Sequence, residues 1–411
     1  MTLTDVDWRM AAAAVVFAAT YLGVALGRIP GLRIDRAGIA LLGACLMISL
    51  GALSLEDAFK AIDLDTIALL LGMMIIVGHL RVSGFFELAS RFAIRRAWGP
   101  LMLLAAIVAV TGFFSAFLVN DAICLVMTPL AIEIARVLRR NPIPYLLAVA
   151  MASNAGGVAT ITGNPQNMII GIASQIPYAD FAARLAPVAA VGLALAAGLI
   201  GLAYVREFRT PFGVAGGQPR PRRHVRQIGK GLIVSICVVI AFFVGVPIAE
   251  AAIVGGAVLL LSRAVNPQKI YAQIDGRLLL MFAGLFVVVA AAEKYLFSEP
   301  VVAAVARLHL DNPWSLTAAT AVLSNLVSNV PAVLALKPFV AALPDPHRAW
   351  LVVAMASTLS GNLTLIGSVA NLIVAEQAKA AGIRISFLAH LRVGLPLTAL
   401  SLAFGAWHLS R

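Results

Sequence analysis

The stretch SNAGGVATITGNPQNMIIG, from Ser153 to Gly171, places polar residues and helix breakers inside an apolar chain. A second stretch, STLSGNLTLIGSVANLIV from Ser357 to Val374, repeats the pattern further along. In a bilayer, each backbone group freed by a broken helix is costly unless protein or a water-filled cavity satisfies it. Each stretch is therefore expected to be an interrupted helix that is buried in protein or faces a cavity.

The composition predicts a membrane protein. Of 411 residues, 61% are hydrophobic and 12% are charged, and the mean hydropathy is +0.95. Apolar runs of about 18 residues or more, which can span a hydrocarbon core of ~30 Å, recur along the chain. The first run, residues 11–27, has no basic start, so we expect a span rather than a cleavable signal peptide. The predicted class is an all-α polytopic membrane protein.

The net charge of +12 is explained by the basic loops of a membrane protein. Lys and Arg are retained on cytoplasmic loops, and here basic segments alternate with loops that are acidic or nearly uncharged. The basic segments are residues 28–36, 81–96 and 136–140 and a Pro- and Gly-rich linker at 206–230. This pattern indicates a lipid bilayer, and not nucleic acid, as the partner of the basic residues.

Three blocks of sequence occur twice in the same order, which indicates two homologous halves. The residues from Tyr145 onward align without gaps with those from Ala349 onward, and two preceding blocks align as well. The aligned pairs include Ser153 with Ser357, Gly157 with Gly361, Thr160 with Thr364, Gly163 with Gly367, Asn167 with Asn371, Asn120 with Asn329 and Asp63 with Asp275.

The number of spans predicts that the two halves have inverted topology. Each half should cross the membrane about five times, and an odd number of crossings turns the second half upside down. Each half also holds a hairpin and an interrupted helix; a hairpin that turns back and one that crosses twice both give odd totals. The first repeat is placed at 1–205, with spans near 9–27, 37–53, 66–80 and 184–205, the hairpin at 101–138 and the broken helix at 143–174; the second is placed at 231–411, with its hairpin at 314–341 and its broken helix at 347–378.

Inverted repeats with interrupted helices are typical of secondary transporters. If the N-terminus is outside, every basic segment falls on one face of the membrane. We therefore predict a multi-pass protein of the cell inner (plasma) membrane with both termini outside, on the periplasmic side.

The polar breaks are expected to form a substrate and ion site where two hairpin tips and two broken helices meet at the midplane. Half-helix N-termini can hold an anion or a polar oxygen, while freed carbonyls and Ser, Thr and Asn side chains can hold a cation or hydroxyl groups. The alternative is that Gly and Ser serve only close helix packing. The predicted binding residues are Asn120, Ser153, Asn154, Thr160, Thr162, Gly163, Asn164, Asn167, Ser328, Asn329, Thr364, Gly367, Ser368 and Asn371.

Asp121 is the predicted proton-coupling residue. No charged residue lies within ten positions on either side of it. A lone carboxylate is costly inside a bilayer when it is charged, so Asp121 should take up a proton readily. The alternative is a structural carboxylate that is hydrogen-bonded to the hairpin tip. The second hairpin has Val330 at the aligned position, so only one half carries the acid.

Neither a cofactor nor an enzymatic reaction is expected. Cys45, Cys124 and Cys237 show no metal-ligand spacing and no disulfide framework. The sequence has no nucleotide-binding loop and no ordered arrangement of nucleophile and base. A channel stays open as an alternative, although paired broken helices favour alternating access.

At these residues the chain resembles the ion transporter superfamily, which includes arsenite permeases, D-type sodium/proton antiporters, silicon efflux transporters and divalent-anion/sodium symporters. NDAICLVMTPL, from Asn120, is similar to the first hairpin of arsenite permeases, and SNVPAVLALKP, from Ser328, to their second hairpin. SNAGGVATITGNPQN, from Ser153, is similar to the Gly-Asn-Pro-Gln-Asn loop of silicon and arsenite exporters. The resemblance covers nearly the whole chain.

The resemblance implies a fixed scaffold and a transport unit that carries the hairpins and broken helices across the membrane. It also implies proton-driven efflux of a metalloid hydroxide such as arsenite or antimonite. Neutral arsenous acid offers three hydroxyls, which suit Asn, Ser and Thr side chains. The thiol of Cys124, three residues after Asp121, could approach arsenic.

Two other transport functions stay open. A sodium/proton antiporter would share Asp121 but would export sodium. A sodium-coupled importer would move divalent anions such as sulfate, phosphate or a dicarboxylate, but Val330 and Asp121 depart from the Ser-Asn-Thr hairpins of that branch. The oligomeric state also stays open, a homodimer included.

Overall fold

The structure is a computed structural model that describes residues 3–27, 33–94, 99–209, 225–261, 266–296 and 308–411. All regular elements in these ranges are helices, which agrees with the composition. Part of the predicted basic segments, namely Arg28, Arg95, Arg96 and residues 210–224 of the linker, lies outside the described residues.

The helices of the first half end shortly before the linker. They are α1 (Leu3–Leu26), α2 (Arg36–Ser49), α3 (Leu55–Ala61), α4 (Leu64–Ser83), α5 (Phe85–Ile94), α6 (Pro100–Phe117), α7 (Asn120–Val137), α8 (Pro142–Gly157), α9 (Pro165–Ser174), α10 (Tyr178–Ala203) and α11 (Val205–Arg209). A single 3₁₀ turn, Ile161–Gly163, lies between α8 and α9.

The described helices of the second half follow a similar order. They are α12 (Val225–Phe243), α13 (Ile248–Leu260), α14 (Pro267–Tyr271), α15 (Gly276–Tyr295), α16 (Pro313–Val327), α17 (Asn329–Ala341), α18 (Pro346–Leu359), α19 (Val369–Ala380) and α20 (Phe387–Leu409). A 3₁₀ turn, Ser360–Asn362, follows α18.

Aligned residues perform the same local tasks in both halves, as expected for two repeats. Asp63 begins α4 by accepting the backbone N–H of Thr66 at 3.0 Å, and Asp275 begins α15 by accepting that of Leu278 at 3.1 Å. The hairpin α6–α7 corresponds to α16–α17, and the broken helix α8–α9 corresponds to α18–α19. The fold is therefore the predicted all-α polytopic fold of two inverted repeats.

The first hairpin is re-entrant, which the number of spans does not decide. Its tip residue Asn120 donates from Nδ2 to Oδ1 of Asn154, near the end of α8, at 3.1 Å. The hairpin therefore turns back at the level where the neighbouring helix is broken.

Six described helices are long and apolar enough to cross a membrane by length and composition. They are Trp8–Leu26 within α1, then α4, α6, α10, α15 and α20. Helix α10 begins at Tyr178, before the predicted start at residue 184. The early polar residues Asp180 and Arg184 pair with each other at 3.8 Å and are partly exposed, so they do not interrupt the helix.

The helices pack in two groups that mix the halves. In one group α4 packs along α13, and α2 along α15. The approach of α4 to α13 is close, because a Cβ atom added to Gly72 would lie 2.4 Å from the backbone of Ala252. In the other group the hairpins and broken helices pack together, with α8 between α6 and α7 and with α7 against α19. This second group holds every residue of the predicted site.

Candidate functional site

The first interrupted helix is stabilised at its break by asparagine and glycine. Helix α8 ends at Gly157, and α9 begins at Pro165 after Asn164, whose Oδ1 accepts the backbone N–H of Asn167 at 2.8 Å. The loop folds tightly onto the end of α8, since a Cβ atom at Gly163 would lie 2.1 Å from the carbonyl oxygen of Gly157. No other residue type fits there without displacing the backbone.

The second interrupted helix repeats this arrangement with different side chains. Helix α18 ends at Leu359, and α19 begins after Ser368, whose Oγ accepts the backbone N–H of Ala370 at 3.1 Å. A Cβ atom at Gly367 would lie 3.0 Å from the carbonyl oxygen of Gly361.

Asn167 and Asn371 satisfy the carbonyls that the breaks set free. The Asn167 amide donates to the carbonyls of Gly157 and Thr160 at 3.1 and 3.0 Å. The Asn371 amide donates to the carbonyls of Gly361 and Thr364 at 2.8 and 3.0 Å. These two predicted site residues therefore hold the loops in shape.

Asn154 connects the two halves of the chain through buried hydrogen bonds. Its Nδ2 donates to Oδ1 of Asn362 at 2.9 Å and to Oδ1 of Asn371 at 3.2 Å. Its Oδ1 accepts from Oγ of Ser368 at 3.0 Å and from Nδ2 of Asn120 at 3.1 Å. One buried amide thus joins the first hairpin and the second broken helix.

Thr358, which aligns with Asn154, makes the equivalent contacts to the first broken helix. Its Oγ1 accepts from Nδ2 of Asn164 at 3.1 Å and from Nε2 of Gln166 at 3.1 Å. Asn164 aligns with Ser368, so the bond from Asn154 to Ser368 has its counterpart in the bond from Thr358 to Asn164. The site therefore has approximate two-fold symmetry.

Both hairpin tips have a non-glycine residue in a strained conformation. Val119 has φ +61°, Ser328 has φ +79°, and each immediately precedes the first residue of the inner hairpin helix. A positive φ is rare for a β-branched residue and costs on the order of 1–3 kcal/mol. The sequence carries no sign of this strain, because neither position is Gly, Asn or Asp.

The strained tips leave backbone donors free at the starts of α7 and α17. Neither helix has a side-chain cap, and the first helical bonds are from Ile123 to Val119 and from Ala332 to Ser328. The N–H groups of Asn120, Asp121, Ala122, Asn329 and Val330 therefore precede the first bond of their helix.

A cavity of about 460 Å³ reaches the starts of four helices. Its inner part is formed by the N-terminal ends of α7, α9, α17 and α19, whose dipoles place partial positive charge there. Its mouth lies where α1 ends and α2 begins, beside the start of α15. Its described lining residues include Asp35, Arg36, Asn120, Asp121, Gln166, Asp275, Arg277, Ser328, Asn329, Val330, Ser368 and Glu376.

Charged side chains lie mainly at the mouth of the cavity. Asp35, Arg36, Asp275 and Arg277 come from the first turns of α2 and α15 or the residues that cap them, and Glu376 comes from α19. Among the described residues that line the hairpin tips, Asp121 is the one ionisable side chain. The rest of that inner surface is made of amides, hydroxyls, backbone N–H groups and apolar side chains.

The predicted site residues fall into three sets. Asn120, Asp121, Ser328, Asn329 and Ser368 line the cavity. Behind them, the network and the loop backbone contain Asn154, Gly163, Asn164, Asn167, Thr364, Gly367 and Asn371.

Ser153, Thr160 and Thr162 form the third set, which is buried without lining the cavity. Ser153 donates to Ala150 in its own helix, and Thr162 pairs with the hydroxyl of Tyr178 at 2.8 Å. The thiol of Cys124 donates to Ser153 at 3.1 Å, so it points away from the cavity rather than toward a cargo. Among the described residues, no group of three or more His, Cys, Asp or Glu could hold a metal ion.

The sequence prediction missed Gln166, Thr358, Asn362 and Ser324. Gln166 lines the cavity, and Ser324 donates to Oδ1 of Asn329 at 2.7 Å. The gapless alignment pairs Asn154 with Thr358, and that pairing was the available signal for Thr358. Asn362 aligns with Val158, so the repeat gave no signal for it.

Comparisons with known proteins agree on a transporter. The sequence profile described as "Citrate transporter" matches residues 15–359. An uncharacterized transporter of Mycobacterium tuberculosis (strain CDC 1551 / Oshkosh) is 32% identical over 92% of this chain and 94% of its own length. The silicon efflux transporter LSI3 of Oryza sativa subsp. japonica is 28% identical over 95% of this chain and 96% of its own length.

A solved structure shows the same fold. The YdaH transporter of Alcanivorax borkumensis superimposes with a TM-score of 0.63, over 98% of this chain and 97% of that chain, at 14% sequence identity.

Proposed function

Because the chain belongs to the CitMHS citrate transporter family and is therefore a secondary transporter of the membrane, we propose that it exports a small uncharged metalloid hydroxide in exchange for protons. Arsenite and antimonite, in their neutral hydroxide forms, are the proposed cargo.

The observation that carries this proposal is the chemistry of the cavity's inner end. Amides, hydroxyls and backbone N–H groups surround a single carboxylate there, and no Lys or Arg is among the described residues at the hairpin tips. A neutral hydroxide needs both donors and acceptors, whereas a multiply charged anion favours cationic side chains. The inner surface therefore suits a neutral hydroxide.

The proposed binding geometry uses both kinds of group. Oδ1 of Asn120 is buried and has no hydrogen-bond partner among the described residues, so it can accept from a cargo hydroxyl. The free N–H groups at the starts of α7 and α17 can donate to cargo oxygens. The amide of Asn329 and the hydroxyls of Ser328 and Ser368 complete the proposed site.

Asp121 is the proposed proton-coupling residue. It lines the same cavity beside Asn120, and none of the described residues donates a hydrogen bond to its carboxylate. In the proposed cycle, cargo leaves from the deprotonated site on one side and a proton neutralises Asp121 for the return. Such mutual exclusion between cargo and proton produces obligatory exchange.

Two further assignments belong to this proposal. With the N-terminus outside, the mouth between α1 and α2 faces the cytoplasm, so the structure corresponds to an inward-facing state of an inner-membrane protein. The repeats are proposed to comprise residues 1–205 and 231–411. The scaffold contains α2, α4, α13 and α15, and the hairpins and broken helices move against it.

The silicon efflux named for the rice relative supports the same chemistry. Silicic acid, like arsenous acid, is a small neutral hydroxide with several hydroxyl groups. It is therefore a second candidate cargo that the same donors and acceptors could hold.

Uptake of a carboxylate is the alternative, supported by the citrate named for the family and by Arg36 and Arg277 at the mouth. Four helix N-termini could also hold a carboxylate. The four acids at the mouth and on α7, namely Asp35, Asp121, Asp275 and Glu376, outnumber the two arginines and oppose a trianion.

Transport by the purified protein in proteoliposomes tests the proposal. A pH gradient, without sodium, should drive arsenite or antimonite, and the Asp121→Asn variant should lose this pH-driven transport while it still folds. Citrate or sulfate uptake that requires sodium, with arsenite ignored, would establish the alternative. Sodium-dependent proton flux without either cargo would indicate a sodium/proton antiporter.

A further inference from the structure

His390 is a buried titratable residue that the transport scheme above does not use. It lies in α20, has no exposed surface, and is outside the cavity. Its Nε2 lies 3.0 Å from the carbonyl oxygen of Asn362. A carbonyl oxygen only accepts, so Nε2 must carry the hydrogen of this bond.

The other ring nitrogen has no partner. Nδ1 of His390 is buried without a hydrogen-bond partner among the described residues. If Nε2 carries the hydrogen, the neutral ring leaves Nδ1 unprotonated, and a second proton on Nδ1 would be buried without an acceptor. The geometry therefore specifies a neutral imidazole with the hydrogen on Nε2.

Helix α20 packs closely against the second helix break at Gly394. A Cβ atom at Gly394, one turn after His390, would lie 2.3 Å from the carbonyl oxygen of Asn362 and 3.0 Å from that of Leu363. His390 and Gly394 thus share the face of α20 that covers the carbonyls where the helix before the break ends. The glycine allows the approach, and the histidine supplies the donor.

The side chain of Asn362 connects this contact to Asn154. Its Oδ1 accepts from Nδ2 of Asn154 at 2.9 Å, and its Nδ2 donates to the carbonyl of Met151 at 3.3 Å. Asn154 in turn accepts from Asn120 and Ser368, which both line the cavity. A continuous chain of hydrogen bonds therefore leads from His390 to the cavity wall.

We propose that His390 is a positioning residue for cargo binding: its Nε2–H holds the Asn362 backbone so that the Asn362 side chain orients the amide of Asn154. The proposal rests on the site of the proposed function but not on which cargo that site takes. The asymmetry of the repeats supports it, because the first half has Val158 where the second has Asn362. The network is thus anchored from the second half.

The test compares His390→Leu, which removes the donor, with His390→Gln, which restores an N–H donor on a side chain of similar reach. Whichever cargo the wild type carries is used, and KM and Vmax are measured in proteoliposomes. We expect His390→Leu to raise KM roughly tenfold, as for a buried hydrogen bond worth ~1.4 kcal/mol, with little change in Vmax. His390→Gln should recover most of the loss.

His408 provides a matched control on the same helix. Its Nε2 also lies near a carbonyl oxygen, that of Arg184 at 3.1 Å, but this contact is exposed and belongs to no bond chain toward the cavity. His408→Leu should leave KM unchanged. An unchanged KM in His390→Leu, or an equal defect in His390→Leu and His390→Gln, would overturn the proposal.

Two further measurements keep the proposal testable. A double-mutant cycle with Asn362→Val, which introduces the residue found in the first half, should show strong coupling to His390→Leu; additive effects would contradict the chain of contacts.

Nitrogen NMR of histidine-labelled protein, assigned with His390→Gln, should show the neutral Nε2–H tautomer. A protonated ring or the Nδ1–H tautomer would overturn the proposal, even if His390→Leu does not fold. Wild-type protein that ignores arsenite would refute only the cargo assignment.

Discussion

Asn154 and Asn371 belong to different repeats, yet the Nδ2 of Asn154 lies 3.2 Å from the Oδ1 of Asn371. Asn371 uses its own amide to hold the carbonyls of the second break, so the bond from Asn154 ties one broken helix to the other. The two halves therefore share one buried polar network. Movement of the transport unit would have to carry this network as a single body.

We predict that Asn154→Ala destabilises the protein and abolishes transport. The substitution leaves Asn362, Ser368 and Asn120 with unpaired buried groups, and we expect a loss of about 2 kcal/mol in unfolding free energy. Thermal unfolding in detergent and transport in proteoliposomes provide the measurements. The neighbouring Ser153→Ala is the control, since the Ser153 hydroxyl donates to Ala150 and accepts from the Cys124 thiol, both in the first half. Equal effects of the two variants would refute the role of Asn154 in joining the two halves.

A second prediction concerns the two asparagines that hold the loops. Asn167→Ala and Asn371→Ala should each lower stability by similar amounts, about 1–3 kcal/mol, because each removes two side-chain hydrogen bonds to carbonyls at a helix break. Unfolding of both variants is compared with that of Asn266→Ala, in which an exposed helix cap is lost. Should only one of the two buried asparagines matter, the two-fold equivalence of the loops would be wrong.

A third prediction tests the contact between the first hairpin and the first broken helix. A Cβ atom at Gly156 would lie 2.2 Å from the carbonyl oxygen of Gly112, whereas one at Gly198 would meet nothing within 4 Å. Gly156→Ala should therefore displace the hairpin tip and abolish transport, while Gly198→Ala should be tolerated. Full activity of Gly156→Ala would show that α6 and α8 are not packed as described.

The fourth prediction concerns a contact between α1 and the second hairpin. The hydroxyl of Tyr21 donates to the carbonyl oxygen of Pro331 at 3.1 Å, next to the tip of that hairpin. If α1 stays with the scaffold while the hairpin moves, this bond stabilises the state seen here. Tyr21→Phe should then reduce the time the cavity is open at the α1–α2 face.

Labelling of a cysteine at position 376 measures that opening. In a background without the three native cysteines, Glu376→Cys should react more slowly with a membrane-impermeant maleimide applied to the α1–α2 face when Tyr21→Phe is also present. Tyr271→Phe, at an exposed tyrosine, is the control. A labelling rate that is unaffected by Tyr21→Phe would exclude a stabilising role for the Tyr21–Pro331 hydrogen bond.

Sequence patterns predicted much of this architecture for identifiable reasons. Helix breakers in apolar runs have few uses in a bilayer, so the breaks at Gly163 and Gly367 and the hairpins were visible from composition and spacing. The repeat then predicted which polar residues are equivalent. The agreement of Asn167 with Asn371 is the clearest case, because the same spacing produces the same pair of bonds.

Other features depend on tertiary contacts that no periodicity records. The contact of Asn154 with Asn362 joins residues of different halves that do not align, and Thr358 and Gln166 meet across the same interface. The positive φ of Val119 is imposed by the hairpin around it, against the preference of the residue itself. Ser153, Thr160 and Cys124 have suitable chemistry, but their hydrogen bonds are made inside the protein and none of the three lines the cavity.

In the proposed function, cargo binds between the two hairpin tips, where four helices begin. Anomalous X-ray scattering from protein crystallised with antimonite locates the metalloid directly. We expect one peak inside the cavity, within hydrogen-bond reach of the amide of Asn120 or the hydroxyl of Ser328 or Ser368. A peak only at the cysteines or on the surface, or an empty cavity at antimonite concentrations that saturate transport, would contradict it.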